Sequence, residues 1–170
     1  DNALTAIETV NCLRRQGFLI TEEAVQQGLA DAVLPCRQEV LRRHPLRMLD
    51  GAHNPHGIRA LTETLLTVPE EKRVPLTLLW GMLRDKDVHA CVSLLAPLAA
   101  RAVCCAPDNP RAMPGEALAA LFREAGVEAV SADNPEQALV LAREEAGEGT
   151  LLVGGYFFLA SVIRPFLTKE

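Results

Sequence analysis

From about residue 46 to its end, this chain of 170 residues alternates short aliphatic runs with stretches of helical period. That alternation restricts it to few folds. Strands are expected at 39–42, 46–49, 74–80, 101–106, 127–131 and 150–153. Helices are expected at 54–66, 88–99, 116–125, 135–146 and 157–166. A chain that switches so regularly builds an α/β fold, a mostly parallel sheet with helices on both faces and right-handed crossovers. Glycines and prolines punctuate the pattern where such a fold needs them: Pro55 falls in a first helical turn, and Gly126 follows a helix end.

The first residues differ in character. Leu4, Ile7, Val10 and Leu13 recur at helical spacing and Gly17 stops the run. Thr21 then reads as the cap of a second helix, which Pro35 ends. The expected division is a helical pair and linker over 1–36 and an α/β domain over 37–170. The chain opens on Asp1-Asn2-Ala3-Leu4 within a helical pattern and without an initiator Met, and is expected to be part of a longer protein. The net charge of −5 argues against non-specific nucleic-acid binding. Five cysteines without a Cys-x-x-Cys pair argue against a structural zinc site and for a reducing, cytoplasmic setting. Cys91, Cys104 and Cys105 lie in apolar runs and are expected to be buried. No apolar run reaches the length of a membrane span.

In parallel sheets ligands lie beyond the carboxyl ends of the strands. The loops there are 50–54, 81–87, 107–111, 132–135 and 154–156. In Asp50-Gly51-Ala52-His53-Asn54-Pro55, small residues admit a ligand close to the backbone and the following helix offers free N–H groups. Asp50 is suited to ribose hydroxyls or a cation, and His53 to phosphate or carboxylate. The competing reading is an ordinary strand-to-helix turn capped by Asn54. Arg84 and Lys86 are suited to anionic charge, or belong to a solvated charge run. Arg111 leaves an Asp108-Asn109-Pro110 turn and is suited to a carboxylate, or decorates a surface turn. Gly154-Gly155 is a second glycine turn, without the Gly-x-Gly-x-x-Gly of a dinucleotide fingerprint.

Several of these segments together carry a family likeness. Asp50-Gly51-Ala52-His53-Asn54-Pro55 closely resembles the Asp-Gly-Ala-His-Asn-Pro motif of folylpolyglutamate and dihydrofolate synthases, within the Mur ligase superfamily. Leu34-Pro35-Cys36-Arg37 resembles that family's Pro-Gly-Arg. Gly81-Met82-Leu83-Arg84-Asp85-Lys86-Asp87 resembles its Gly-Met-x-x-Asp-Lys-Asp. Pro107–Ala112 resembles its Asn-Pro-Arg loop, and Asn2–Ala6 its Asn-Ala-x-x-Ala helix start. The matches occur in the family's order across essentially the whole chain.

The resemblance implies a Rossmann-like, three-layer carboxy-terminal domain, preceded by the tail of a central ATPase domain. It implies a parent ligase, monomeric and Mg²⁺-dependent, that phosphorylates a folate or dihydropteroate carboxylate with ATP and lets glutamate attack the acyl phosphate. This domain would close over ATP and hold the glutamate. By motif position Asn2, Arg37 and Asp50 would touch ATP, and His53 would lie near ATP or glutamate as a catalytic candidate. Lys86 would serve phosphate or closure, and Arg111, Gly154 and Gly155 the glutamate side. The P-loop and Mg²⁺ ligands of the family are not in this sequence, so the chain alone is expected to be inactive. Cys36 replaces a usual Gly, and Gly155 stands where a Ser is common. Two other readings stay open: a domain of a cell-wall precursor ligase, and a non-catalytic nucleotide-binding or interaction domain.

Overall fold

In the computed structural model, which describes residues 2–168, five of six strands run the same way. They are β2 (Leu46–Asp50), β3 (Leu76–Trp80), β4 (Arg101–Cys105), β5 (Glu128–Ala132) and β6 (Thr150–Gly154). β1 (Glu39–Arg43) pairs antiparallel with β2 and forms one edge. The expected α/β fold with a mostly parallel sheet is what forms. Residues 1, 169 and 170, at the outer bounds of the two expected domains, lie outside the described residues.

The strand order is β1-β2-β6-β3-β4-β5, so the last strand returns to lie between the first two parallel ones. The helices that pack on the sheet are α3 (Pro55–Thr67), α5 (Val88–Leu95), α6 (Gly115–Glu124), α7 (Pro135–Ala146) and, after the last strand, α8 (Phe157–Leu167). α3, α5 and α6 cover one face with a core of Met48, Leu78, Trp80, Cys104, Phe122 and Leu152. α7 and α8 cover the other, over Leu49, Leu79, Val103, Leu151 and Val153. Neighbouring residues of one strand go to opposite cores, which is the period-2 pleat expressed in a sheet buried on both sides. β2 and its neighbour β6 therefore send the chain to opposite faces. That is the switch point at which such sheets open a crevice.

Buried Arg47 ties the opposite end of β2 to the chain entering β6. Its guanidinium donates to Gly149 O at 2.6 Å and Gly147 O at 2.9 Å, where α7 ends. A cation there also favours the negative end of the helix. Cys91, Cys104 and Cys105 are buried as expected, and burial pushes each thiol up, Cys91 to about 11 and Cys105 to about 12.

Three details differ from the sequence reading. α5 stops at Leu95 and continues as a 3₁₀ turn over Ala96–Leu98, because Pro97 has no N–H to extend the α-helix. β3 begins at Leu76 rather than Val74, since Pro75 cannot donate to the ladder. A short helix, α4 (Glu70–Arg73), occupies the connection before β3. It has too few residues to show a period.

The chain divides into two units, Asp1–Leu34 and Pro35–Glu170. In the first, α1 (Asn2–Arg15) and α2 (Glu22–Ala30) are joined by Arg14, which donates to Ile20 O at 2.8 Å and pairs with Glu22 at 3.1 Å. Gly17 follows α1 with φ 95°, and Thr21 caps α2 by accepting from Ala24 N–H, as the sequence indicates. Among the described residues no helix is long and apolar enough to cross a membrane.

Candidate functional site

All five loops singled out in the sequence leave the same end of the parallel sheet. At the head of β2, Asp50 is buried, 1% exposed, with both carboxylate oxygens engaged. Oδ1 accepts from Ala52 N–H at 2.6 Å, and Oδ2 from Gln38 N–H at 2.8 Å. Burial pushes its pKa above the ordinary carboxylate range, against the opposing pull of these two N–H groups and of the Arg37 charge.

Asp50 thereby clasps the turn that carries Arg37. The flanking residues Cys36 and Gln38 both have left-handed backbones, φ 57° and 44°. That conformation costs a non-glycine residue about 1–2 kcal/mol. Cys36, standing where the resembled motif has Gly, thus takes a conformation that glycine adopts freely. Three further contacts hold the turn. Gly51 N–H donates to Cys36 O at 2.7 Å, Cys36 N–H donates to Glu39 Oε2 at 2.8 Å, and Arg164 of α8 grips Glu39 with Nη2 at 2.7 Å. The Arg164 guanidinium holds the Glu39 carboxyl below its ordinary range. Arg37 itself is exposed. A strained turn with several anchors and a free cation at its apex is a candidate functional geometry.

His53 lies beyond this clasp, half-buried, with Nδ1 at 2.9 Å from Gly51 O. A carbonyl oxygen only accepts, so the contact selects the tautomer with its proton on Nδ1 and leaves Nε2 as the acceptor of the neutral ring. Asn54 caps α3 by accepting from Gly57 N–H at 2.8 Å. The capping reading is correct for Asn54 and does not account for Asp50 or His53.

The glycines form the floor between strand ends. A Cβ on Gly154 would lie 2.4 Å from Asp50 O, and one on Gly155 would lie 2.6 Å from both Gly81 O and Trp80 Nε1. Gly155 also has φ +85°. The residue common in the family, Ser, has no room here, because the buried Trp80 indole fills the space. Both glycines are explained by close packing of β2, β3 and β6.

The loops after β3 and β4 are joined as a short antiparallel ribbon. Arg84 N–H donates to Arg111 O at 2.9 Å and Met113 N–H to Met82 O at 2.8 Å. Arg84 Nε donates to Ala112 O at 3.2 Å. Asp85 lies between two cations, 3.0 Å from Arg111 Nη1 and 3.7 Å from Lys86 Nζ. Asn109 accepts from Arg111 N–H at 2.8 Å and donates to the Tyr156 hydroxyl at 3.3 Å, which links the ribbon to the loop after β6.

The structure thus forms two clusters at one end of the sheet, Arg37–Asp50–His53 and Lys86–Asp85–Arg111. The Gly154-Gly155 turn is packed into the same end. Asn2 opens α1 in the other unit. Sequence reasoning missed Gln38, Glu39, Arg164 and Tyr156. Their roles come from backbone form and from pairings as distant as Glu39 with Arg164, which no local pattern signals. Among the described residues no group of three or more His, Cys, Asp or Glu side chains is placed to hold a metal ion.

Comparison with known proteins gives the family. Residues 36–154 match the model of the Mur ligase, glutamate ligase domain. The folylpolyglutamate synthase of Lacticaseibacillus casei is 31% identical over 98% of this chain and 37% of its own length. The dihydrofolate synthase/folylpolyglutamate synthase of Escherichia coli is 33% identical over 92% of this chain and 35% of its own length. The chain therefore spans little more than a third of these relatives. Among solved structures, E. coli FolC in complex with DHPP and ADP superposes with a TM-score of 0.83 at 30% identity, over 99% of this chain and 39% of that one. A bifunctional folylpolyglutamate synthase/dihydrofolate synthase with Mn, AMPPNP and L-glutamate bound gives 0.76 at 30% identity, over 92% and 37%. This chain belongs to the Mur ligase family of glutamate ligase domains, and the relatives and structures it resembles are folylpolyglutamate and dihydrofolate synthases.

Proposed function

We propose that this chain is the carboxy-terminal domain of an ATP-dependent ligase that adds glutamate to a folate or dihydropteroate through an acyl phosphate. The observation that carries the reading is the clasped turn. Asp50, the first residue of the Asp-Gly-Ala-His-Asn-Pro segment, holds the left-handed turn that exposes Arg37, so two separately matched motifs form one structural unit. Arg37 is free to meet phosphate oxygens, for which a guanidinium is well shaped. Asp50, with both oxygens engaged, acts on the nucleotide through the turn it positions. The α3 amino terminus and His53 Nε2 offer a donor end and an acceptor beside it.

On this reading Arg111 receives the glutamate carboxylate, with Asp85 fixing its guanidinium and Lys86 adding positive charge. Acyl-phosphate chemistry relies on positioning and on neutralising phosphate charge. A domain closing over the cleft also excludes the water that would hydrolyse the intermediate. The relatives' complexes with ADP, AMPPNP, Mn and L-glutamate support this use of nucleotide, divalent ion and amino acid. A divalent ion, when bound, neutralises phosphate charge, and its ligands would come from outside the described residues. Asn2 and the α1–α2 pair would belong to the ATPase side of the parent.

The test is an ADP-release assay on the parent protein with glutamate and either dihydropteroate, tetrahydrofolate or a UDP-muramoyl precursor. Glutamate-dependent turnover with one of the pterins is expected. Turnover with the muramoyl precursor alone would overturn the substrate class.

A further inference from the structure

A cleft of about 470 Å³ lies under the edge strand β1 and beside α3, running from Gln38, next to the Arg37 turn, to Arg43 and His44 at the far end of β1. Its floor is apolar: Val40, Leu46, Met48 and Val68. Its rim carries Arg43, His44 and Lys72. Among the described residues these three side chains have no ion-pair or hydrogen-bond partner. The same three residues also border an adjoining hollow with Glu71 and Glu148, neither of which lies within ion-pair distance of them.

A backbone irregularity aims one of these cations. β1 pairs Val40 with Met48 and Arg43 with Leu46, and its register shifts between Val40 and Arg42. In a regular strand Val40 and Arg42 would share a face. The bulge instead sets Arg43 above Leu46 on the face where Val40 lies above Met48, and turns Arg42 towards Arg47 on the other. A bulge costs ladder hydrogen bonds, and here it places a guanidinium over an apolar floor.

We propose that this cleft binds a small carboxylate with an apolar tail. The carboxylate meets Arg43, His44 and Lys72, and the tail covers Val40, Leu46, Met48 and Val68. The cations supply charge complementarity to one end of the ligand, and the floor gains from apolar burial at the other. A wholly apolar ligand leaves the cations unused, and a small inorganic anion leaves the floor wet. The cations that would meet the carboxylate lie at the end of β1 away from Gln38 and the Arg37 turn, so the proposal does not depend on the ligase reaction.

The test is calorimetry and methyl NMR on the full chain, with octanoate as probe and octanol and acetate as controls. Octanoate is expected to bind saturably at one per chain and to shift the Met48 methyl resonance. Octanol and acetate are each expected to bind at least about ten-fold more weakly, a difference of about 1.4 kcal/mol. Arg43→Ala and Lys72→Ala should each weaken octanoate several-fold, and Arg42→Ala less than two-fold. Octanol binding as well as octanoate, an unmoved Met48 methyl, an equal loss in Arg42→Ala and Arg43→Ala, or no saturable binding would each overturn the proposal.

Discussion

Asp50 Oδ2 accepts the backbone N–H of Gln38 at 2.8 Å, across twelve residues of sequence, and so fixes the turn on which Arg37 is exposed. A buried carboxylate at the head of a central strand thus acts as a splint for a neighbouring cation. Each of its two oxygens accepts one backbone donor, and the side chain is buried.

Removing that splint is expected to be costly. Asp50→Ala leaves the Ala52 and Gln38 N–H groups without their acceptor, and an unsatisfied buried donor costs about 1–3 kcal/mol. Relief of the buried charge offsets part of this, so a net loss of about 2–3 kcal/mol is expected by urea denaturation. Asp50→Asn keeps one acceptor and sets an amide donor against the other N–H, so an intermediate loss is expected. Equal stability of Asp50→Ala and the unaltered chain would contradict the clasp.

Gly155→Ser restores the residue common in the family at a place where Trp80 leaves no room. Its Cβ would lie 2.6 Å from Gly81 O, at φ +85°. A left-handed backbone and an overpacked side chain together predict a loss of about 2–4 kcal/mol. A thermal melt unchanged from that of the unaltered chain would refute the packing account.

The Glu39–Arg164 pair should make stability depend on pH. Glu39 is held below its ordinary range, so its contribution is fully present above the unfolded value, about 4.3, and is lost as pH falls through the lower folded value. The melting temperature of Arg164→Gln should lie below that of the unaltered chain at pH 6. The gap should narrow as pH falls below about 4. A gap that stays constant with pH would show that the pair contributes no proton linkage.

If the parent protein has the proposed activity, Arg111→Ala is expected to raise its KM for glutamate about ten-fold or more, the loss of one charge-assisted pair. KM for ATP should change little, because Arg111 lies with Asp85 and Lys86 rather than with Arg37. Steady-state kinetics with each substrate varied in turn would separate the two. A rise confined to ATP would move Arg111 to the nucleotide side.

Much of this architecture is legible in local sequence. The strands carry apolar runs, Asn54 and Thr21 are caps by residue type, and all five loops reach one end because the strands are parallel. The return of β6 to lie between β2 and β3 is a matter of long-range pairing, on which periodicity is silent. The left-handed backbones of Cys36 and Gln38 are hidden for another reason: neither residue type favours that conformation, and bonds to Gly51, Asp50 and Glu39 hold it. The Asn109–Tyr156 link joins loops forty-seven residues apart and has no local signature. Trp80 explains Gly155 only once β3 and β6 are known to be neighbours.

The most direct test of the account is the KM for ATP of Arg37→Ala in the parent protein, measured with its melting temperature. Arg37 is exposed, so the melting temperature should stay within about 2 °C, as for a surface change of under about 0.5 kcal/mol. The KM for ATP should rise about ten-fold or more. An unchanged KM in a folded variant would contradict the assignment of the clasped turn to nucleotide binding.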